Sequence, residues 1–83
     1  MTMDAERIGK YLRARVQPRI GGWVTDRWEI LSDYDDVLGV VHWFPRWRQY
    51  TFDPAPETTY NDSCLTDLAA FLRRVNQARR RAP

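Results

Sequence analysis

The chain carries one nucleophile and one base to pair with it: Cys64 is its only cysteine and His42 its only histidine. A reactive thiolate needs an imidazole or a helix N-terminus beside it, and Cys64 falls in the first turn of an expected helix. The same position lies on that helix's apolar stripe, where cysteine behaves as a small core residue. A lone Cys and a lone His cannot build a four-ligand zinc site, and one Cys excludes an intrachain disulfide. In "SDYDD", Asp33 and Asp35 fit the first two ligand positions of a calcium loop. Leu38 and Phe44 then stand where the loop needs Gly and Glu. The pair Gly21-Gly22 has no Lys-Ser/Thr behind it, so no phosphate loop forms there. The expectation is a non-catalytic protein with no metal, no cofactor and no small-molecule substrate, a thiol enzyme using Cys64 being a remote alternative.

The denser chemistry is cationic and aromatic. Residues 42–54, "HWFPRWRQYTFDP", hold two of the four Trp together with Arg46 and Arg48. Charge is unevenly placed around this stretch. Residues 1–20 hold five basic and two acidic side chains, residues 21–72 three basic and nine acidic, and residues 73–83 five Arg and no acid. Basic ends flanking an acidic middle can mark contact with nucleic acid. They also arise blandly, since all but one of the basic residues are Arg, as in chains from GC-rich genomes.

These side chains need elements to hold them. Ala5, Ile8, Leu12 and Val16 recur at three and four, which predicts a helix over residues 4–16. Pro18 stops it and Gly21-Gly22 makes a joint. "WVTDRWEIL", residues 23–31, reads as a first strand with Trp28 and Ile30 on one face. "VLGVVHWF", residues 37–44, reads as a second, and "WRQYTF", residues 47–52, as a third, joined by a short hairpin around Pro45-Arg46. A helix is expected from about residue 62, with Asn61 as its N-cap and a staple between Tyr60 and Leu65. Cys64, Leu65, Leu68, Phe71, Leu72 and Val75 make its apolar stripe.

The fold expected is therefore α+β: a helix, a three-stranded antiparallel sheet, and a C-terminal helix packed on one sheet face, in a single domain over 1–83 with 1–3 and 79–83 frayed. Tyr50 and Phe52 point to the core. Trp47, Gln49 and Thr51 point the other way with Trp43 beside them, on an open face.

Residues 42 to about 76 resemble a group of small phage and prophage proteins, through an aromatic pair, W-R-Q-Y-x-F-x-P and then N-x-x-C-L at the start of an amphipathic helix. Tyr60 stands where that group favours Phe, and Asp53 where an aromatic is common. The resemblance implies a phage or bacterial origin and supplies no activity.

Two binding functions follow. Nucleic acid, DNA rather than RNA, would meet a basic and aromatic sheet face and the basic termini, with Arg27, Arg46, Trp47, Arg48, Arg73 and Arg74 as contacts. The order of elements also matches the double-stranded RNA-binding domain, but Asp62 and Asp67 stand where that family grips phosphate. Alternatively, the acidic middle, "SDYDDV" with Asp53 and Glu57, would oppose a basic surface on a host enzyme or defence complex and modulate it. No apolar run suits a signal peptide or a membrane span, so the bacterial host cytosol is the expected location and no membrane partner is expected.

Overall fold

A computed structural model describes residues 5–22 and 24–81. Expectations that fall on residues 1–4, Trp23 and residues 82–83 lie outside the described residues. Five strands come first: β1 (Glu6–Arg7), β2 (Arg13–Val16), β3 (Trp28–Leu31), β4 (Val37–Phe44) and β5 (Gln49–Pro54). One helix, α1 (Asp62–Arg81), follows. The strands form one antiparallel sheet in the order β1-β2-β3-β4-β5, so every connection joins neighbours.

The expected helix over 4–16 is corrected: this segment is the β1–β2 hairpin, and the sheet has five strands rather than three. Its apolar residues satisfy two periods at once. Leu12, Ala14 and Val16 alternate as a strand requires, while Ile8, Leu12 and Val16 repeat as a helix would. Pairing decides between them. Ala14 lies opposite Ile30 and Val16 opposite Trp28, and Leu12 and Ala14 are fully buried. The turn is closed by the N–H groups of Ile8 and Gly9, which both donate to the carbonyl of Leu12. Arg7 fastens it, donating to the carbonyls of Gly9 and Lys10, each at 3.1 Å.

With one helix instead of two, a single layer of α1 covers one sheet face. Cys64, Leu68, Phe71 and Val75 of α1 meet Ala14, Ile30, Val41 and Tyr50 of the sheet. Burying side chains such as Phe71 and Leu68 contributes about 1.5–3 kcal/mol each. Trp28 joins the layers, T-shaped against both Tyr50 at 5.2 Å and Phe71 at 5.4 Å. The α1 start is as expected: Asn61 Oδ1 accepts the N–H of Cys64 at 2.8 Å, capping the helix. The staple does not form, because Leu65 is exposed while Tyr60 packs on Phe52 and donates to the Leu38 carbonyl at 2.7 Å.

Tyr50 and Phe52 do face the core layer. Trp43 faces it too, opposite Tyr50 and T-shaped against it at 5.3 Å, so the open face does not carry Trp43. Alternation places Arg13, Arg15, Glu29, His42, Thr51 and Asp53 on the uncovered face. Among the described residues no helix is long and apolar enough to cross a membrane.

Candidate nucleic-acid interface

Arg46, Trp47 and Arg48 do not stand on a strand. They form, with Pro45, the four-residue turn between β4 and β5. Pro45 lacks an N–H and has a fixed φ, which suits a turn and ends β4. The N–H of Trp47 donates to the Phe44 carbonyl at 3.2 Å and that of Arg48 to the Pro45 carbonyl at 3.3 Å. Arg48 closes the turn at φ 51°, in the left-handed region. Such a conformation costs a residue with a Cβ about 1–2 kcal/mol, and glycine would adopt it freely. Trp47 is 66% exposed, its ring braced by Phe44 in a T-shaped contact at 4.9 Å.

The hairpin tip lies beside the C-terminal half of α1. A cleft of about 500 Å³ opens between β5 and α1, floored by Tyr50, Phe52 and Leu72 and rimmed by Trp47, Arg73 and Arg80. Residues 73, 77 and 80 recur at four and three, which sets them along one side of the helix. Arg80 was missed by the sequence reading, although its distance of two turns from Arg73 was the signal. One position further round, Arg74 leaves this side entirely. Its guanidinium lies over the Phe71 ring at 5.1 Å and pairs with Glu6 of β1. Arg27 is also separate, bordering a hollow of about 230 Å³ with Thr25, Asp26, His42 and Trp43. On the far side of Trp43's contacts, Arg79 stacks on its ring at 5.2 Å.

The arginines divide into two populations. Arg7 pairs with Asp33 at 2.8 Å, Arg15 with Glu29 at 2.6 Å and Arg19 with Asp26 at 3.0 Å, while Arg13 pairs with Asp35. These pairs, with Arg74–Glu6, gather on β1–β3, their flanking loops and the adjoining side of α1. Among the described residues, Arg27, Arg46, Arg48, Arg73, Arg79, Arg80, Arg81 and Lys10 form no ion pair, and of these Arg46, Arg48, Arg73 and Arg80 lie at the hairpin tip or on the cleft beside it. Four of the nine acids of the middle segment, Asp26, Glu29, Asp33 and Asp35, are thus paired with arginines within the fold, and the positive charge at the hairpin tip and helix end is not paired among the described residues. The Arg13 guanidinium, donating a hydrogen bond to Asp35, holds that carboxyl below its ordinary value.

Cys64 and His42 are not brought together. Cys64 is buried beneath α1 on the covered face of the sheet, and His42 is on the opposite face, paired with Asp53. Compared with known proteins, the chain matches no family model, and neither a curated protein nor a solved structure is significantly similar to it.

Proposed function

We propose that this is a small phage-type protein of the bacterial cytosol that binds nucleic acid through the β4–β5 hairpin tip and the C-terminal half of α1. The observation that carries this is a cluster of arginines: Arg46 and Arg48 flank the exposed Trp47 in its turn, Arg73 and Arg80 share its cleft, and none of the four has an acidic partner among the described residues, whereas Arg7, Arg13, Arg15, Arg19 and Arg74 are all paired. Uncompensated guanidinium groups bind phosphate and release counterions, and an exposed indole stacks on bases. Arg48 adds support, since it holds a backbone conformation that glycine would hold more easily. The contacts proposed are Arg46, Trp47, Arg48, Arg73 and Arg80. DNA docking of an open sheet face in the major groove has less behind it, because that face carries Arg15–Glu29 and Arg13–Asp35 as ion pairs, with Asp53 hydrogen-bonded to His42 beside them. A modulator of a basic host protein would use the acidic middle, of which Asp33 and Asp35 are held by arginines of this chain while Asp36 and Glu57 form no ion pair among the described residues.

The test is the salt dependence of binding to labelled DNA and RNA, read by fluorescence anisotropy. Arg46→Ala, Arg48→Ala and Arg73→Ala should each weaken binding and flatten the slope of log K against log salt, by about 0.9 per lost duplex contact or about 0.7 on a single strand. Arg7→Ala, in the compensated population, should leave the slope unchanged. Slopes identical across all four variants would remove the interface.

A further inference from the structure

Asn76 of α1 reaches across to the edge of the sheet. Its Oδ1 accepts the N–H of Tyr50 at 2.6 Å, and its Nδ2 donates to the carbonyl of Tyr50 at 3.2 Å. Both backbone groups of Tyr50 therefore point away from β4. Outward-pointing pairs recur every second residue in an antiparallel ladder, so Phe52 presents its N–H and C=O to the same edge. Two features agree with this phase: Pro54, which has no N–H to donate, takes the next such position, and the intervening ladder continues to Ala55, whose N–H donates to Leu38. Beside Phe52, however, α1 supplies Ala69, Leu72 and Arg73 in place of an amide. No side chain of the described residues hydrogen-bonds the Phe52 backbone there. One donor and one acceptor, a peptide width apart, thus face a partly apolar cleft whose mouth carries the Trp47 indole and two guanidinium groups that have no acidic partner among the described residues.

Every nucleobase carries an adjacent donor and acceptor on its Watson–Crick edge, and in a duplex that edge is occupied by the opposite base. We infer that the β5–α1 cleft takes one unpaired base, stacked against Trp47 with its Watson–Crick edge toward the Phe52 backbone, while Arg73 and Arg80 hold the flanking phosphates, so that the protein selects single-stranded over double-stranded nucleic acid. This rests on the nucleic-acid reading above and goes beyond it. The contact is sequence-tolerant, because the backbone pair can meet any base and stacking needs only a π face. An extended peptide would seek the same edge by strand addition, but Asn76 already occupies the two groups of Tyr50 that a peptide strand would need.

Fluorescein-labelled 12-mers of dT and dA, the corresponding 12-base-pair duplex, and single-stranded rU decide the matter by anisotropy at physiological salt. The single strands are expected to bind at least tenfold more tightly than the duplex. Trp47→Ala should lower single-strand affinity about tenfold and leave duplex affinity nearly unchanged, and Trp47→Phe should recover most of the loss. Trp47 is exposed in a turn, so circular dichroism of both variants should match the parent. Equal affinity for duplex and single strand, or equal loss of both in Trp47→Ala, would overturn base capture while leaving phosphate binding by the arginines intact. Absence of binding to all four probes would overturn both.

Discussion

Asn76→Ala removes the side chain that, among the described residues, ties the exposed edge of β5 to α1 through the Tyr50 backbone. The parent makes two hydrogen bonds there, at 2.6 and 3.2 Å. Each contributes about 0.5–1.5 kcal/mol net, so the pair is worth about 1–3 kcal/mol. Two effects reduce the loss. The cleft admits water, which can hydrate the freed N–H and C=O, and alanine is the better helix former by about 0.5 kcal/mol. A net destabilisation of about 1.5 kcal/mol follows, a sizeable part of the roughly 4–12 kcal/mol expected of a chain of this length. With a urea dependence of about 1 kcal/mol per molar, the unfolding midpoint should fall by about 1.5 M. Gln77→Ala serves as the control: it gains comparable helix propensity and makes no hydrogen bond among those resolved for the described side chains, so it should hold or raise the midpoint. Hydrogen exchange localises the effect, with the Tyr50 amide exchanging about tenfold faster in Asn76→Ala. A midpoint shift equivalent to less than about 0.5 kcal/mol, or an unchanged Tyr50 amide, would refute the clamp and with it the orientation assigned to β5.

Gly39→Ala places a methyl group against the Asp53 carbonyl oxygen and within 2.7 Å of the Phe52 ring. Because backbone forms half of this contact, β4 and β5 must part, at a cost of about 1–3 kcal/mol; a melting temperature lowered by about 10 °C is expected, and one within about 2 °C of the parent would refute the close approach. Asp35 predicts an acid response: its folded-state pKa lies below the ordinary 3.8 because Arg13 donates a hydrogen bond to the carboxylate. The pair's stabilisation is therefore complete above the unfolded pKa and lost as pH falls through the folded one. Urea midpoints of the parent and Asp35→Asn should differ near neutrality and converge in strong acid; a difference independent of pH would refute the pairing.

The strands β3, β4 and β5 and the helix α1 could be located from local chemistry. Residues 37–44 are a run of β-branched and aromatic types bounded by a polar turn and a proline, and Asn61 caps α1 in the position its side chain suits. Pro45 announced a hairpin, though the turn extends through Arg48 because a left-handed residue is needed to bring Gln49 opposite Phe44. The N-terminal segment was illegible for a definite reason. Leu12 and Val16 satisfy both the helical and the strand period, and only the lateral partners Ile30 and Trp28, distant in sequence, select the strand. The candidate site divided along the same line. Arg46, Trp47 and Arg48 are contiguous, so their grouping was visible. The separation of Arg73 from Arg74 depends on which side of one helix faces β5 and which faces β1, and the partial neutralisation of the acidic middle depends on pairs such as Arg7–Asp33 and Arg13–Asp35 that form only when the sheet closes. Composition and spacing set which charges the chain carries. Their pairing, and hence which surface keeps its charge, is a property of distances that exist only in the folded state.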